Sequence, residues 1–143
     1  MRKMATMLVA AVAAMGVACS SDNSNSVTGP DGVAVPGVYQ MQTIAGQKLP
    51  YLLYQQGTMS ITVVDGQLNV AADGTWTEVV NLRTVSDTGT VTQAANADGA
   101  WYRSGSSLLF AYGLDNSTYY TGVASPNRLD LDAGGGLMVV YMK

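Results

Sequence analysis

Histidine is missing from all 143 residues. That removes a His general base, a Ser-His-Asp triad and a His-ligated metal from consideration. Cysteine occurs once, at Cys19, so no disulfide can form within the chain. Charge is sparse, with seven basic and ten acidic residues. No cluster of Lys and Arg is available to meet phosphates, which argues against nucleic acid as a partner. Glutamate also occurs once, at Glu78. The sequence contains no Gly-x-Ser-x-Gly elbow, Walker loop or Gly-x-Gly-x-x-Gly fingerprint. The apolar run Met7–Val17 (MLVAAVAAMGV) is too short to span a bilayer, which takes about 20 residues.

The amino terminus has three parts. Arg2 and Lys3 supply positive charge, the apolar run follows, and Gly16-Val17-Ala18-Cys19 leads into a polar stretch. This is the layout of a secretory signal peptide over 1–18. The last four residues resemble the lipobox of bacterial lipoproteins, in which the cysteine is acylated and becomes the new first residue. The resemblance implies a lipid anchor at Cys19 and hence the membrane as a partner. Ordinary cleavage after Ala18, giving a secreted or periplasmic protein with a free thiol, is the alternative. Residues 19–36 contain SSDNSNS, Gly29-Pro30 and Pro36. They read as a flexible tether, because such a segment has little to bury. Ser20 rather than Asp after the cysteine implies, by the same resemblance, the outer membrane of the bacterial envelope, facing the periplasm or the surface. Every acidic residue lies beyond position 18, so the chain from Cys19 onward carries net −5.

The body, 37–143, shows no long stretch with helical spacing of apolar residues. Short stretches alternate with period two instead, the mark of half-buried strands. Met59, Ile61 and Val63 share one face, as do Trp76, Val80 and Leu82, and Leu108, Phe110 and Tyr112. Asp65-Gly66, Asp73-Gly74, Ser104-Gly105, Asp115-Asn116, Pro126-Asn127 and Gly134–Gly136 are turn signals, since Gly, Asn and Asp tolerate positive φ. Asp65-Gly66 is expected to close a hairpin, and 86–98 to form a long loop or weak edge. About eight strands of six to eight residues follow, joined in order. The expected fold is an all-β, up-and-down antiparallel barrel, because closure removes exposed edges. A two-sheet sandwich is the alternative. Strands crossing an outer membrane run about 9–11 residues behind an apolar outer face, and the outer positions here are Thr, Asn, Gln and Asp.

Gly37-Val38-Tyr39, Ile44–Pro50, Gly66–Val70, Ala72–Trp76, Gly99-Ala100-Trp101 and the closing Val140–Lys143 resemble the bacterial lipocalin-like domains of small lipoproteins, with Tyr39 where lipocalins proper have Trp. The resemblance implies an eight-stranded barrel whose mouth can hold a small apolar molecule, with no catalytic residue and no cofactor.

Glu78 shares the face of Trp76, so a carboxylate is expected at the interior. An interior carboxylate needs a partner. Arg103, alternating with Trp101, is the candidate, with the two paired at the floor or rim of a cavity. Tyr39, Trp76, Glu78, Trp101, Arg103, Phe110 and Tyr112 are the candidates to line a ligand site. Equally, they can simply fill the barrel. Tyr119-Tyr120 is expected to point one ring inward and one outward. Asp130 and Asp132 read as a solvated face rather than a Ca²⁺ site, and Asn116-Ser117-Thr118 as a turn. The functional expectation is a non-enzymatic envelope lipoprotein that binds a small apolar ligand or an envelope partner. The alternatives are an interaction module with a filled core and, further off, an enzyme built on Glu78.

Overall fold

The computed structural model describes residues 32–113 and 115–143. Ten strands follow in order: β1 Gly37–Ile44, β2 Gln47–Lys48, β3 Tyr51–Gln56, β4 Met59–Val70, β5 Thr75–Ser86, β6 Gly89–Ser104, β7 Ser107–Tyr112, β8 Ser117–Ser125, β9 Arg128–Asp132 and β10 Met138–Met142. Strands β4 to β10 pair antiparallel in sequence order, β10 pairs with β1, and β1 pairs with β4. The last pairing, Gly37↔Val70 to Gln40↔Gln67, closes an eight-stranded up-and-down barrel. The short β2 and β3 add on beside β1 and β4. The sandwich alternative is thereby set aside.

Turn chemistry explains most of the path. The β4–β5 turn carries Gly74 at φ 90° and the β8–β9 turn carries Asn127 at φ 59°, conformations that Gly and Asn tolerate best. Two expectations fail. Asp65-Gly66 is not a turn, because β4 runs straight through it. Val63 pairs with Leu82 and Asp65 with Asn81, so Val64 is an extra residue and the site is a β-bulge. Asp65 accepts a hydrogen bond from the Asn81 amide at 2.6 Å. Gly66 makes room for Met41: a Cβ there would lie 2.7 Å from Met41 Cε. Residues 86–98 are not a loop either. They complete β5, turn at Asp87-Thr88 and run up β6, as their Thr and Val content favours.

Because β4 and β5 have 12 residues and β6 has 16, they outlast the barrel. Strand β1 leaves β4 beyond Gln67, and β7 pairs with β6 only from Gly99 to Ser104. Past those points β3, β4, β5 and β6 continue as a four-stranded extension. These lengths exceed those expected; the outer positions of β5 mix the polar Thr75, Thr77, Asn81 and Arg83 with the exposed Val79 and Val85.

The core is the barrel interior. Trp76, Trp101, Phe110, Tyr141, Leu68, Leu129 and Leu131 are fully buried there. One end is covered by the segment before β1. Val35 is buried in the core, and its carbonyl accepts from the Tyr39 hydroxyl at 2.5 Å. Arg103 Nη1 donates to the Val33 carbonyl at 2.6 Å. Lys143 Nζ donates to the Ala34 carbonyl at 3.3 Å and sits 5.0 Å from the Tyr39 ring centre. By the meander, this end is opposite the extension.

Two glycines let neighbouring strands pack against each other. A Cβ at Gly99 would lie 1.8 Å from the Ala111 carbonyl oxygen, and one at Gly122 would lie 2.1 Å from that of Asp130. Backbone cannot yield as a flexible side chain can. We expect Gly99→Ala to lower stability by about 3 kcal/mol, toward the upper end of overpacking costs. Gly57→Ala meets nothing within 4 Å but sits at φ 55°, and should cost about 1 kcal/mol. Urea unfolding of the two variants checks both the order and the gap.

Candidate functional site

Glu78 is 2% exposed and lies on the inner face of β5. Its partners are tyrosines. Tyr119 donates to Oε2 at 2.9 Å, Tyr120 donates to Oε1 at 2.7 Å, and Tyr141 also donates to Oε1. The carboxylate therefore ties β5 to β8 and β10. Strand alternation alone forbids two adjacent inward rings. A second bulge permits them: Phe110 pairs with Tyr120 and Ala111 with Thr118, leaving Tyr119 as the extra residue on β8. Both rings then reach Glu78, against the expectation of one in and one out.

The Glu78–Arg103 pair does not form. Glu78 stands opposite Ala97, and Arg103 lies six residues further along β6, a separation of about 20 Å at ~3.3 Å per residue. Arg103 instead caps the covered end, where Nε donates to the Gly105 carbonyl at 2.8 Å and Nη1 to Val33.

Five of the other candidates fall as follows. Trp76 donates its indole N–H to the carbonyls of Ala111 and Ala100 at 3.0 and 3.1 Å. Trp101 donates to the Ala71 carbonyl at 2.8 Å. Phe110 meets Trp76 edge-on at 5.8 Å and Tyr120 edge-on at 6.2 Å. Tyr39 bonds to Val35. Tyr112 is not an interior ring: it is 45% exposed. As the last residue of β7 it sits at the rim where β6 departs, with no further strand to cover it. It stacks on Tyr119 at 5.6 Å, and Tyr119 lies 5.0 Å from Trp76.

Sequence reasoning missed Tyr119, Tyr120 and Tyr141 as the partners of Glu78. A solitary glutamate in a tyrosine-rich strand protein was a signal, but the bulge that aims Tyr119 inward leaves no mark in the alternation. Among the described residues, every buried side-chain nitrogen or oxygen has a partner, and no group of three metal-ligating side chains comes together. Asp130 points outward to Arg128, at 2.6 Å.

Outside the barrel, a groove of about 530 Å³ runs over β6, β7 and β8 between Tyr102, Leu109, Thr121 and Val123. Exposed apolar side chains also gather on the extension: Leu52, Leu53, Tyr54, Met59, Val85 and Val91. No protein-family model matches the chain, and no curated protein is significantly similar to it.

The tyrosine protons are held tightly. Burial is the largest cause for Tyr119, Tyr120 and Tyr141, and the charge of Glu78 adds to it; all three hydroxyls are pushed well above their ordinary range. Burial alone pushes Tyr39 up to about 12 from 10.0. Folded-state values lie above unfolded ones, so this stability is fully present below about pH 10 and is lost as pH rises through the folded values. We expect cooperative alkaline unfolding in which the tyrosinate absorbance of these rings appears together with loss of the strand signal. Ionisation of all eight tyrosines before unfolding would contradict it.

Each bond to the carboxylate is of the charge-assisted kind, with a net value of about 1.5–3 kcal/mol. Tyr141→Phe should cost about 2 kcal/mol and Glu78→Leu more, since it strands three hydroxyls. Glu78→Gln, which keeps the volume and one acceptor, should fall between Tyr141→Phe and Glu78→Leu. Denaturant titrations of the three variants check this order.

Proposed function

We propose that this protein is a lipid-anchored lipoprotein of the bacterial cell envelope, in which a non-catalytic, filled barrel presents an interaction surface. The observation that carries this reading is the interior itself. Trp76, Trp101, Phe110, Tyr39 and Tyr141 are buried in the interior with Glu78, and its buried polar atoms are satisfied by the protein. A ligand carrier keeps that space free. The exposed apolar groups that could meet a partner are outside, on the extension and on the flank of the barrel.

The direction of the chain supports the anchor. The segment leading from the tether covers one end of the barrel, and the extension leaves from the other. Acyl chains on Cys19, more than one together, would hold the covered end toward the membrane. The extension would then point away from the lipid. The lipobox-like Gly16–Cys19 and the polar run after it fit the same arrangement, with Ser20 favouring the outer membrane.

A second reading is favoured by the outer groove. Its lining of Tyr102, Leu109 and Val123 suits a small apolar molecule bound on the flank of the barrel rather than in its mouth.

Intact mass of the protein purified from its natural membrane tests both readings. We expect a mature chain starting at acylated Cys19, release of Cys19→Ser from the membrane fraction, and no retained small molecule under native conditions. An unmodified thiol would end the anchor. A stoichiometric apolar ligand, lost on Leu109→Asp, would move the function to the groove.

A further inference from the structure

The edges of the extension are unequal. Strand β3 is one edge. It is six residues long, follows Pro50, and carries a bulge between Leu52 and Tyr54. These are the devices that blunt an edge against further pairing. The other edge is the first part of β6. Among the described residues, Gly89 to Ala97 bond only to β5, in unbroken register from Ser86↔Gly89 to Glu78↔Ala97. The last bond across to the β7 side is Gly113 N–H to the Asp98 carbonyl. These nine residues, GTVTQAANA, contain no charge, no proline and no bulge. Residues 89–96 are exposed, Val91 at 59%. A long, flat, uncharged edge is a template for another strand.

We infer that this edge of β6 pairs with the same edge of a second copy, antiparallel about a two-fold axis near Gln93. The occupant follows from the edge. Antiparallel pairing of one strand with itself needs no second surface, because both copies offer the same row under two-fold symmetry. No like charges meet along the row, since it has none. Side chains opposite one another would be Thr, Ala, Val, Asn and Gln, which fit an antiparallel ladder without clashes. The two four-stranded extensions become one eight-stranded sheet with a barrel at either end.

The size of the contact sets its strength. Nine residues span about 30 Å, and a sheet edge is about 10 Å deep. That gives roughly 300 Å² per copy, below the ~800 Å² of a standard interface. The ladder supplies about nine backbone hydrogen bonds, within the ~10 of typical interfaces. The dimer therefore belongs to the weak class, with a dissociation constant of roughly 10–100 μM. This names the partner of the extension proposed above as the interaction surface, but it does not depend on acylation of Cys19.

Two measurements on the full mature chain test it. Sedimentation velocity over a concentration series should show a monomer–dimer equilibrium. Val91→Lys with Gln93→Lys should weaken it at least tenfold while leaving the urea transition unchanged. Mixing that variant with Val91→Glu, Gln93→Glu should restore a heterodimer. Hydrogen exchange of the unaltered protein should show protection that rises with concentration in 89–97 and not in β3. A monomer at all concentrations up to about 1 mM overturns the inference. So does a dimer whose added protection falls on Tyr51–Gln56, or one abolished by Leu53→Lys and indifferent to the β6 changes. Loss of the membrane anchor in fractionation leaves each of these readouts in force.

Discussion

The structure depends on one buried carboxylate and three hydroxyls. Glu78 could not sit at 2% exposure unpaired, because a carboxylate stripped of water loses several kcal/mol of solvation. Among the described residues no cation is paired with it. Three neutral donors are, and they come from two strands far along the chain, β8 and β10. The consequence is topological. A barrel built only from neighbouring hairpins can breathe between any two strands. Here a polar tie runs across the interior and fixes β5 against β8 and β10 at once. The same tie requires the bulge at Tyr119, since only an extra residue lets two consecutive rings face inward.

Closure and strand length pull in different directions. The barrel is sealed by four residue pairs between β1 and β4. That short seam suffices for the eight strands around the core, yet it uses less than half of β4. Beyond it Val63 still packs into the core, with Tyr51, Val80 and Leu82 against it, but most of β3 and the first half of β6 stand exposed. The usual reason for closing a sheet is to remove its edges, and this molecule closes one sheet and then opens another beyond the rim. The interior gains a complete set of partners for its polar atoms, while the extension keeps two free rows of backbone groups. One of those rows is bulged and short, the other long and regular. Difference in edge protection, rather than exposure alone, sets β6 apart as a surface.

Much of this was legible in the sequence. Period-two alternation in Trp76–Leu82 and Leu108–Phe110, with turn residues at Asp73-Gly74 and Pro126-Asn127, is enough to give strands, order and closure. The interior positions of Tyr39, Trp76, Glu78, Trp101, Arg103 and Phe110 follow from the same alternation. What failed depends on bulges and on register, which are tertiary facts. Asp65-Gly66 has the composition of a turn, but Gly66 is small because Met41 packs over it. Residues 86–98 look loop-like because Gly, Ala, Asn and Asp are poor strand formers. Their Thr and Val, together with an unbroken ladder to β5, hold them straight. Sign of charge pairs Arg103 with Glu78, but the register sets Arg103 six residues from the partner position, Ala97. Period alone puts Tyr112 on the inner face with Phe110, but at the end of β7 the ring is exposed at the rim.

The position of Glu78 also bears on what the barrel can be. A binding barrel needs vacant volume and unmet polar groups aimed into it. Here both carboxylate oxygens accept from tyrosines, the two indole N–H groups donate to backbone carbonyls, and Phe110 lies edge-on between Trp76 and Tyr120. These bonds are the ones any guest in the interior would have to displace. The rings most accessible from the rim, Tyr112 and Tyr119, are stacked on each other and on Trp76, so even the mouth is occupied by the protein's own side chains. With the interior taken up in this way, the outer faces and the two free rows of the extension are what the fold leaves open, and among the described residues the row of β6 is the longer and more regular of the two.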